Sequence, residues 1–234
     1  MTSISWWGNV TVDNQQQVVN TNARWKTPRL RMFDQIRAAL ARDGVQYWID
    51  SGTLLGAWRR QAMIPHDDDV DIGIAGQEMH ARARAAVEAH CPHLAIKQAS
   101  YSGKWEVYDP SSPEIPWGDN GDTWHMVSCD IDLYLLREDG WQQQYFNFGI
   151  DSNRIPHDTL FPLGTIQFEG RTCPAPHRTQ AYLEGVYGYL GEDAEYDKET
   201  QKFRKRAASP ASAETAPPRQ TPSPPLRAEP PARG

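Results

Sequence analysis

A chain of 234 residues with 39% hydrophobic content, nine Trp and nine Tyr has material for one substantial domain with extensions and too little for two full ones. Residues 201–234 hold seven Lys/Arg against two Glu, so the net charge of −6 leaves −11 on the first 200 residues, which argues against a general nucleic-acid binder and suits a site that recruits metal cations. No apolar run approaches the roughly 18 residues of a membrane span, the N-terminal "MTSISWWGNVTVDNQQQVVN" lacks the basic and apolar regions of a signal peptide, and Cys91, Cys129 and Cys173 have no paired spacing, so a cytoplasmic protein with free thiols is expected.

Residues 1–26 read as an N-terminal extension. In "TPRLRMFDQIRAALARDG", Thr27 is a candidate N-cap, Pro28 suits the first helical position, and Leu30, Phe33, Ile36 and Leu40 fall at helical spacing before Gly44. "VQYWI" is expected as a buried strand, followed by a Gly-Thr turn at Gly52 and Thr53 and a short helix carrying Leu54, Leu55 and Ala57. "DVDIGI" then reads as a strand, "QEMHARARAAVEAH" as a helix, and "WEVY", "CDIDLYLL" and "QQYFNFGI" as further strands, giving an intermixed α/β (α+β) domain over 27–200. The Pro-, Ala- and Ser-rich segment 201–234 has almost no large apolar residue with which to repay the entropy of folding, so disorder is expected there.

The chemistry concentrates in "GTLLGAWRRQAMIPHDDDVDIGI", where Asp67, Asp68, Asp69 and Asp71 crowd together. Like charges this close oppose one another's ionisation, so the group needs open solvent or a cation. On an extended segment Asp67, Asp69 and Asp71 share one face, about 6.5–7 Å apart in succession, while Val70, Ile72 and Ile74 take the other. "CDIDLYLL" repeats the pattern with Asp130 and Asp132, so a neighbouring strand can supply a further ligand. Oxygen-only ligands favour Mg2+ or Mn2+, ions suited to neutralising phosphates. The Gly52-Thr53 turn at a helix N-terminus is an anion cradle to which Arg59 or Arg60 can add a charge-assisted fork, an exposed helix end being the plainer role for at least one of them.

Asp67, Asp69, Asp71 and Glu78 also match positions 1, 3, 5 and 12 of a calcium loop, but Ile72 stands where its sharp turn needs Gly and Pro65 interrupts the incoming segment. A solvated acidic turn is the plain alternative, opposed by the apolar alternation of Val70, Ile72 and Ile74. "HCPH" and "WHMVSC" are weak ligand pairs, the first reading better as a helix stopped at Pro92. Trp105, Trp117 and Trp124 are candidates for stacking, with core packing the default; Lys104 and Arg154 are candidate phosphate contacts, with solvated surface the default.

"YWIDSGTLLGAWRRQAMIPHDDDVDIGI" resembles the signature of LicD/fukutin-type phosphotransferases of the nucleotidyltransferase-fold superfamily, with His66 where many members have Trp. "LFPLGTIQFEGRTCPAPHRTQAYLEGVYG" resembles the family's C-terminal section, so the likeness runs from about residue 28 to 190. The resemblance implies a nucleotidyltransferase-like mixed sheet flanked by helices, a metal held by Asp69, Asp71 and one later carboxylate, and phosphate positioned by Gly52, Thr53 and Arg59. The apolar "DLYLL" around Asp132 favours Asp132 over Asp130 for the later position, although alternation alone does not choose. Asp67 is expected as a second metal ligand or as the group accepting the acceptor's proton. The activity implied is transfer of phosphocholine or a polyol phosphate from a CDP-activated donor to a glycan hydroxyl. Attack on the α phosphorus of an NTP, or a metal- or nucleotide-binding module without turnover, are the alternatives.

Overall fold

The computed structural model describes residues 15–98, 104–117, 122–144, 154–200 and 202–207. The first helix begins earlier than expected: α1 spans Gln15–Arg42 with Pro28 inside it. Proline removes one helical hydrogen bond there, but the turns on either side are tied to the domain. Trp25 packs against the core, Asn22 is buried, and Arg29, 0% exposed, donates Nε to Met126 O at 2.7 Å and Nη1 to Asp67 O at 3.1 Å. Phe33, Ile36 and Leu40 are fully buried on the inner face, each contributing roughly 1.5–3 kcal/mol.

After β1 (Trp48–Ile49) and α2 (Ser51–Arg60) come β2 (Val70–Ala75), α3 (Gln77–His90), β3 (Ala95–Gln98), β4 (Trp105–Tyr108), β5 (Glu114–Trp117), β6 (Asp122–His125), β7 (Ser128–Arg137) and β8 (Gly140–Gln143). The main sheet runs β1-β2-β7-β4-β3, with β8 also pairing β7. β2 and β7 are parallel and the other pairings are antiparallel, so this is the mixed sheet flanked by helices expected from the sequence. The register matches Val70 with Cys129, Ile72 with Ile131 and Ile74 with Leu133, an apolar face that strand alternation predicts. α3 lies against it: His80 Nε2 donates to Ile131 O at 3.2 Å, leaving Nδ1 to accept from Trp105 Nε1 at 3.1 Å.

The opposite face carries Asp71 opposite Asp130, then Gly73 opposite Asp132. Gly73 is required by close approach, because a Cβ there would lie 2.3 Å from the buried Trp48 ring. One end of this face is thereby sealed by aromatic packing, Trp48 on Tyr134 at 4.9 Å between centroids, and the other end is left to the carboxylates.

The chain continues through α4 (His157–Leu160), β9 (Gly164–Phe168), β10 (Arg171–Ala175), α5 (Thr179–Tyr187), β11 (Ala194–Asp197) and β12 (Lys202–Lys205). Of the strand expected in "QQYFNFGI", only Gln143 belongs to a strand, the last residue of β8, and residues 145–150 lie outside the described residues. The domain boundary expected at residue 200 cuts a hairpin, since β11 pairs β12 and Phe203 packs against the core. Residues 1–14, of the expected extension, and 208–234, of the expected disordered segment, lie outside the described residues. Truncation after Lys202 is expected to lower the melting midpoint by about 5 °C or more, as loss of a partly buried Phe and its strand costs roughly 2 kcal/mol. Truncation after Ala207 is expected to leave it within about 2 °C. Equal midpoints for the two truncations would remove the hairpin from the folded unit.

Candidate functional site

The site begins where β1 hands over to α2. Asp50 caps the helix, its Oδ1 accepting from Ser51 N at 2.8 Å, and it receives two further hydrogen bonds, from Tyr134 OH to Oδ2 and from Tyr182 OH to Oδ1, both at 2.6 Å. Burial, and then the charge of Asp132, push its carboxyl up to about 6 against these hydrogen bonds. A carboxyl raised in the folded state remains protonated there at pH values where the unfolded chain has already ionised. It therefore adds stability near pH 5 that is lost as pH rises through about 6. In EDTA, Asp50→Asn is expected to gain on the wild type by about 1.4 kcal/mol between pH 5 and pH 7.5, the window that holds about one pH unit of the shift. Denaturant melts across that range check this, and a pH-independent difference would contradict it.

Gly52 and Thr53 serve the carboxylates more than a phosphate. A Cβ at Gly52 would lie 2.8 Å from Asp67 Oδ2, so glycine is what lets the Asp67 carboxylate approach α2. Thr53 is fully buried and its Oγ1 accepts from Asp71 N at 2.9 Å, which pins the start of β2 to the helix. The Thr53 hydroxyl, expected from the sequence to position phosphate, thus has a positioning role for β2. Arg59, expected at the phosphate, donates Nε to Leu190 O at 2.7 Å and Nη2 to Gly191 O at 3.0 Å, so these two donors hold the segment after α5.

Asp67, Asp68 and Asp69 precede β2 instead of lying in it, so strict alternation fails there and Asp68 joins its neighbours. Two groups of carboxylate oxygens result, each with members within 4.8 Å of one another: Asp67, Asp68 and Asp69, and Asp69, Asp71 and Asp130. The second group takes in Asp130, at 0% exposure, where the sequence favoured Asp132: the parallel register sets Asp130 beside Asp71 and Asp132 one step on, beside Gly73. Asp132 is buried too, and reaches Asp50 electrostatically. Burial raises the carboxyls of Asp67, Asp68 and Asp71 well above the ordinary range, and the charge of Asp69 adds to each.

These residues suit a hard divalent cation. Every donor is a carboxylate oxygen, and buried Asp67 Oδ2, Asp68 Oδ2 and Asp130 Oδ1 have no hydrogen-bond partner among the described residues. The 4.8 Å limit is a few tenths of an ångström beyond the about 4.2 Å spanned by two oxygens across Mg2+. The calcium-loop alternative fails on topology, since Val70–Ala75 is a strand and Glu78 is exposed on α3.

Cations frame the group. Lys104, expected on the surface by default, is mostly buried and pairs with Asp130 Oδ2. Burial draws its ammonium pKa down, but Asp132, Asp71, Asp69 and Asp68 outweigh this and leave it raised. On the next strand Glu106, opposite Asp130 in register and fully buried, accepts from His125 N at 3.0 Å and meets Lys97 Nζ at 2.9 Å. The position of Glu106 was legible only as a lone acid in the apolar "WEVY". Lys104, Arg29 and Asp50 carried a weaker signal: only Asp50, ahead of Ser-Gly-Thr, has the type and place of a helix cap.

Other sequence candidates lie apart from the carboxylates. His90 Nε2 is 2.9 Å from Asp43 Oδ1 and His93 Nε2 is 3.1 Å from Gln35 Oε1, so "HCPH" braces α1. Trp105 carries the Arg84 guanidinium over its ring at 4.4 Å and faces away from the acids. The Trp117 side chain lies outside the described residues.

Comparison with known proteins places this geometry. The model of the LicD/FKTN/FKRP nucleotidyltransferase domain matches residues 44–178. Human ribitol 5-phosphate transferase FKRP is 26% identical over 157 residues, covering 62% of this chain and 28% of that protein. The Rickettsia prowazekii protein RP689 is 37% identical over 73 residues, 31% of this chain and 27% of its own. This chain thus spans under a third of the length of either relative. Among solved structures, ANT(2")-Ia in complex with adenylyl-2"-tobramycin aligns at a TM-score of 0.42 and 13% identity, over 64% of this chain and 69% of that one. With Gly52, Thr53, Asp67, Asp69, Asp71 and Asp130 all inside a match that takes in more than half of its residues, the chain belongs to the LicD/FKTN/FKRP nucleotidyltransferase-domain family.

Proposed function

We propose that this protein is a phosphotransferase that uses Mg2+ or Mn2+ to move a phosphorylated small alcohol, phosphocholine or a polyol phosphate, from a CDP-activated donor to a glycan hydroxyl. The observation that carries the reading is the convergence of Asp69, Asp71 and Asp130 within 4.8 Å in a chain of this family. The ribitol 5-phosphate transferase named among the relatives makes a polyol phosphate the first donor to try.

When bound, the ion supplies charge neutralisation for the donor diphosphate and for the CMP leaving group. Asp69, Asp71 and Asp130 hold it. Thr53 fixes the start of β2 through Asp71 N, and Gly52 leaves room for Asp67. Asp67, with Oδ2 unpartnered, is placed to accept the proton of the attacking hydroxyl or to ligate a second ion. Asp68 and Asp132 add field to the same pocket, and Arg29 offsets part of it.

The test is incubation with CDP-ribitol, CDP-choline and CTP, with and without Mn2+ and a hydroxyl acceptor. Metal- and acceptor-dependent release of CMP is expected. Release of pyrophosphate from CTP would instead assign nucleotidyl transfer, and no product from any donor and acceptor pair would assign a binding module.

A further inference from the structure

We propose that Lys104 is the phosphate-binding cation of this site, held on Asp130 until a divalent ion claims that carboxylate. The proposal rests on the metal reading above and does not depend on the donor being a nucleotide.

Four buried or partly buried cations differ in what ties them down. Arg29 is fastened to the carbonyls of Met126 and Asp67, Arg59 to those of Leu190 and Gly191, and Lys97 to Thr123 O at 2.8 Å. Backbone carbonyls in the fold stay where they are when a ligand enters, so those three cations are committed. Lys104 is different. Among the described residues its partners are Asp130 Oδ2 and the face of Trp124, whose ring centroid lies 5.1 Å from Nζ. Its side chain is 18% exposed, which keeps the ammonium within reach of a ligand while withholding most of its hydration.

Asp130 belongs to the oxygen group formed with Asp69 and Asp71, so the carboxylate that Lys104 uses is one that a bound ion would take. Three carboxylates and one ammonium sum to −2, and a divalent ion brings the set to neutral. Lys104 then stands beside the ion, still on the face of Trp124, with its direct ion pair to Asp130 broken and the charge of Asp132 holding it near the pocket. A phosphoryl oxygen on that ion supplies a new direct partner through a charge-assisted hydrogen bond. Without Lys104 the occupied set would keep a net charge of −1 and repel the incoming phosphate. The same residue thus makes the apo cluster tolerable and, once an ion is present, selects for an anionic ligand.

The experiment measures metal and phosphate separately by calorimetry, with methylenediphosphonate as a diphosphate probe that carries no nucleotide. Lys104→Met is expected to bind Mn2+ about threefold or more tightly, since Asp130 is freed, and to bind methylenediphosphonate at saturating Mg2+ at least about tenfold more weakly. Lys104→Arg is expected to keep diphosphonate affinity within about threefold. Wild-type affinity of Lys104→Met for diphosphonate, or weaker Mn2+ binding by it, would overturn the proposal. Should Lys104→Met fail to fold, acetylation of the wild-type protein read by mass spectrometry decides. Lys104 is expected to react faster with Mg2+ than in EDTA and to be protected again when diphosphonate is added; labelling indifferent to both would overturn the proposal. Wild-type protein that binds no Mn2+ would remove the metal reading itself, whereas Mn2+ binding with Lys104-independent diphosphonate affinity would remove this proposal alone.

Discussion

Asp69→Asn and Asp71→Asn are each expected to lower transfer by about 1,000-fold, the equivalent of roughly 4 kcal/mol in the transition state. Each substitution removes one of three converging charges and almost no volume. Asp69 is the more telling of the two, because it alone belongs to both oxygen groups among the described residues. Its charge also adds to the burial that raises the carboxyls of Asp67, Asp68 and Asp71. Asp69→Asn should therefore raise the melting midpoint of the metal-free protein at pH 7.5, by about 2–4 °C for each kcal/mol of repulsion relieved. The sign follows from the direction of the shifts: carboxyls raised in the fold cost stability wherever they are ionised, and removing a like charge reduces that cost. Mn2+ at about 100 times its dissociation constant adds about 2.7 kcal/mol to a protein that binds it, an increment the variant should lose. Turnover and paired melts with Mn2+ and EDTA measure both effects; wild-type turnover in either variant would remove these residues from the site.

Asp130→Asn is expected to cost at least about 100-fold in transfer, and Asp132→Asn less than about 10-fold. The distinction comes from register. Asp130 stands opposite Asp71 across the parallel β2–β7 pair, whereas Asp132 stands one step on, opposite Gly73, and outside the oxygen group of Asp69, Asp71 and Asp130 among the described residues. Asp132 acts on the pocket through its charge alone and also on Asp50, whose carboxyl it helps to raise. Asp132→Asn should accordingly lower the Asp50 pKa, seen as a smaller loss of stability between pH 5 and pH 7.5, while Mn2+ affinity changes little. The reverse ranking in activity, with Asp130→Asn active and Asp132→Asn dead, would restore the assignment suggested by the apolar surroundings of Asp132.

Asp130 and Asp132 also mark how far the sequence could be read. Alternation in "DVDIGI" and "CDIDLYLL" identified both strands and the face their carboxylates share, because a period of two follows from backbone geometry alone. Which carboxylate of the second strand meets the first depends on the stagger between strands, which sets Asp130 beside Asp71 and Asp132 beside Gly73 and is not visible in either strand's own residues. The place of Asp68 does not follow from strand alternation, because Pro65 and His66 lie in a turn and 67–69 precede β2. Arg59 looked like a phosphate ligand by type and position, and only the path of the chain after α5 revealed the carbonyls that occupy it. Pro28 misplaced the start of α1, since the upstream turns are held by long-range contacts of Trp25 and Arg29.

The most direct measurement is an anomalous difference map from a crystal soaked in Mn2+. A peak bounded by carboxylate oxygens of Asp69, Asp71 and Asp130, at about 2.0–2.2 Å from each, is the expected result. A peak ligated by Asp132 without Asp130, or no peak in this pocket at millimolar Mn2+, would contradict it.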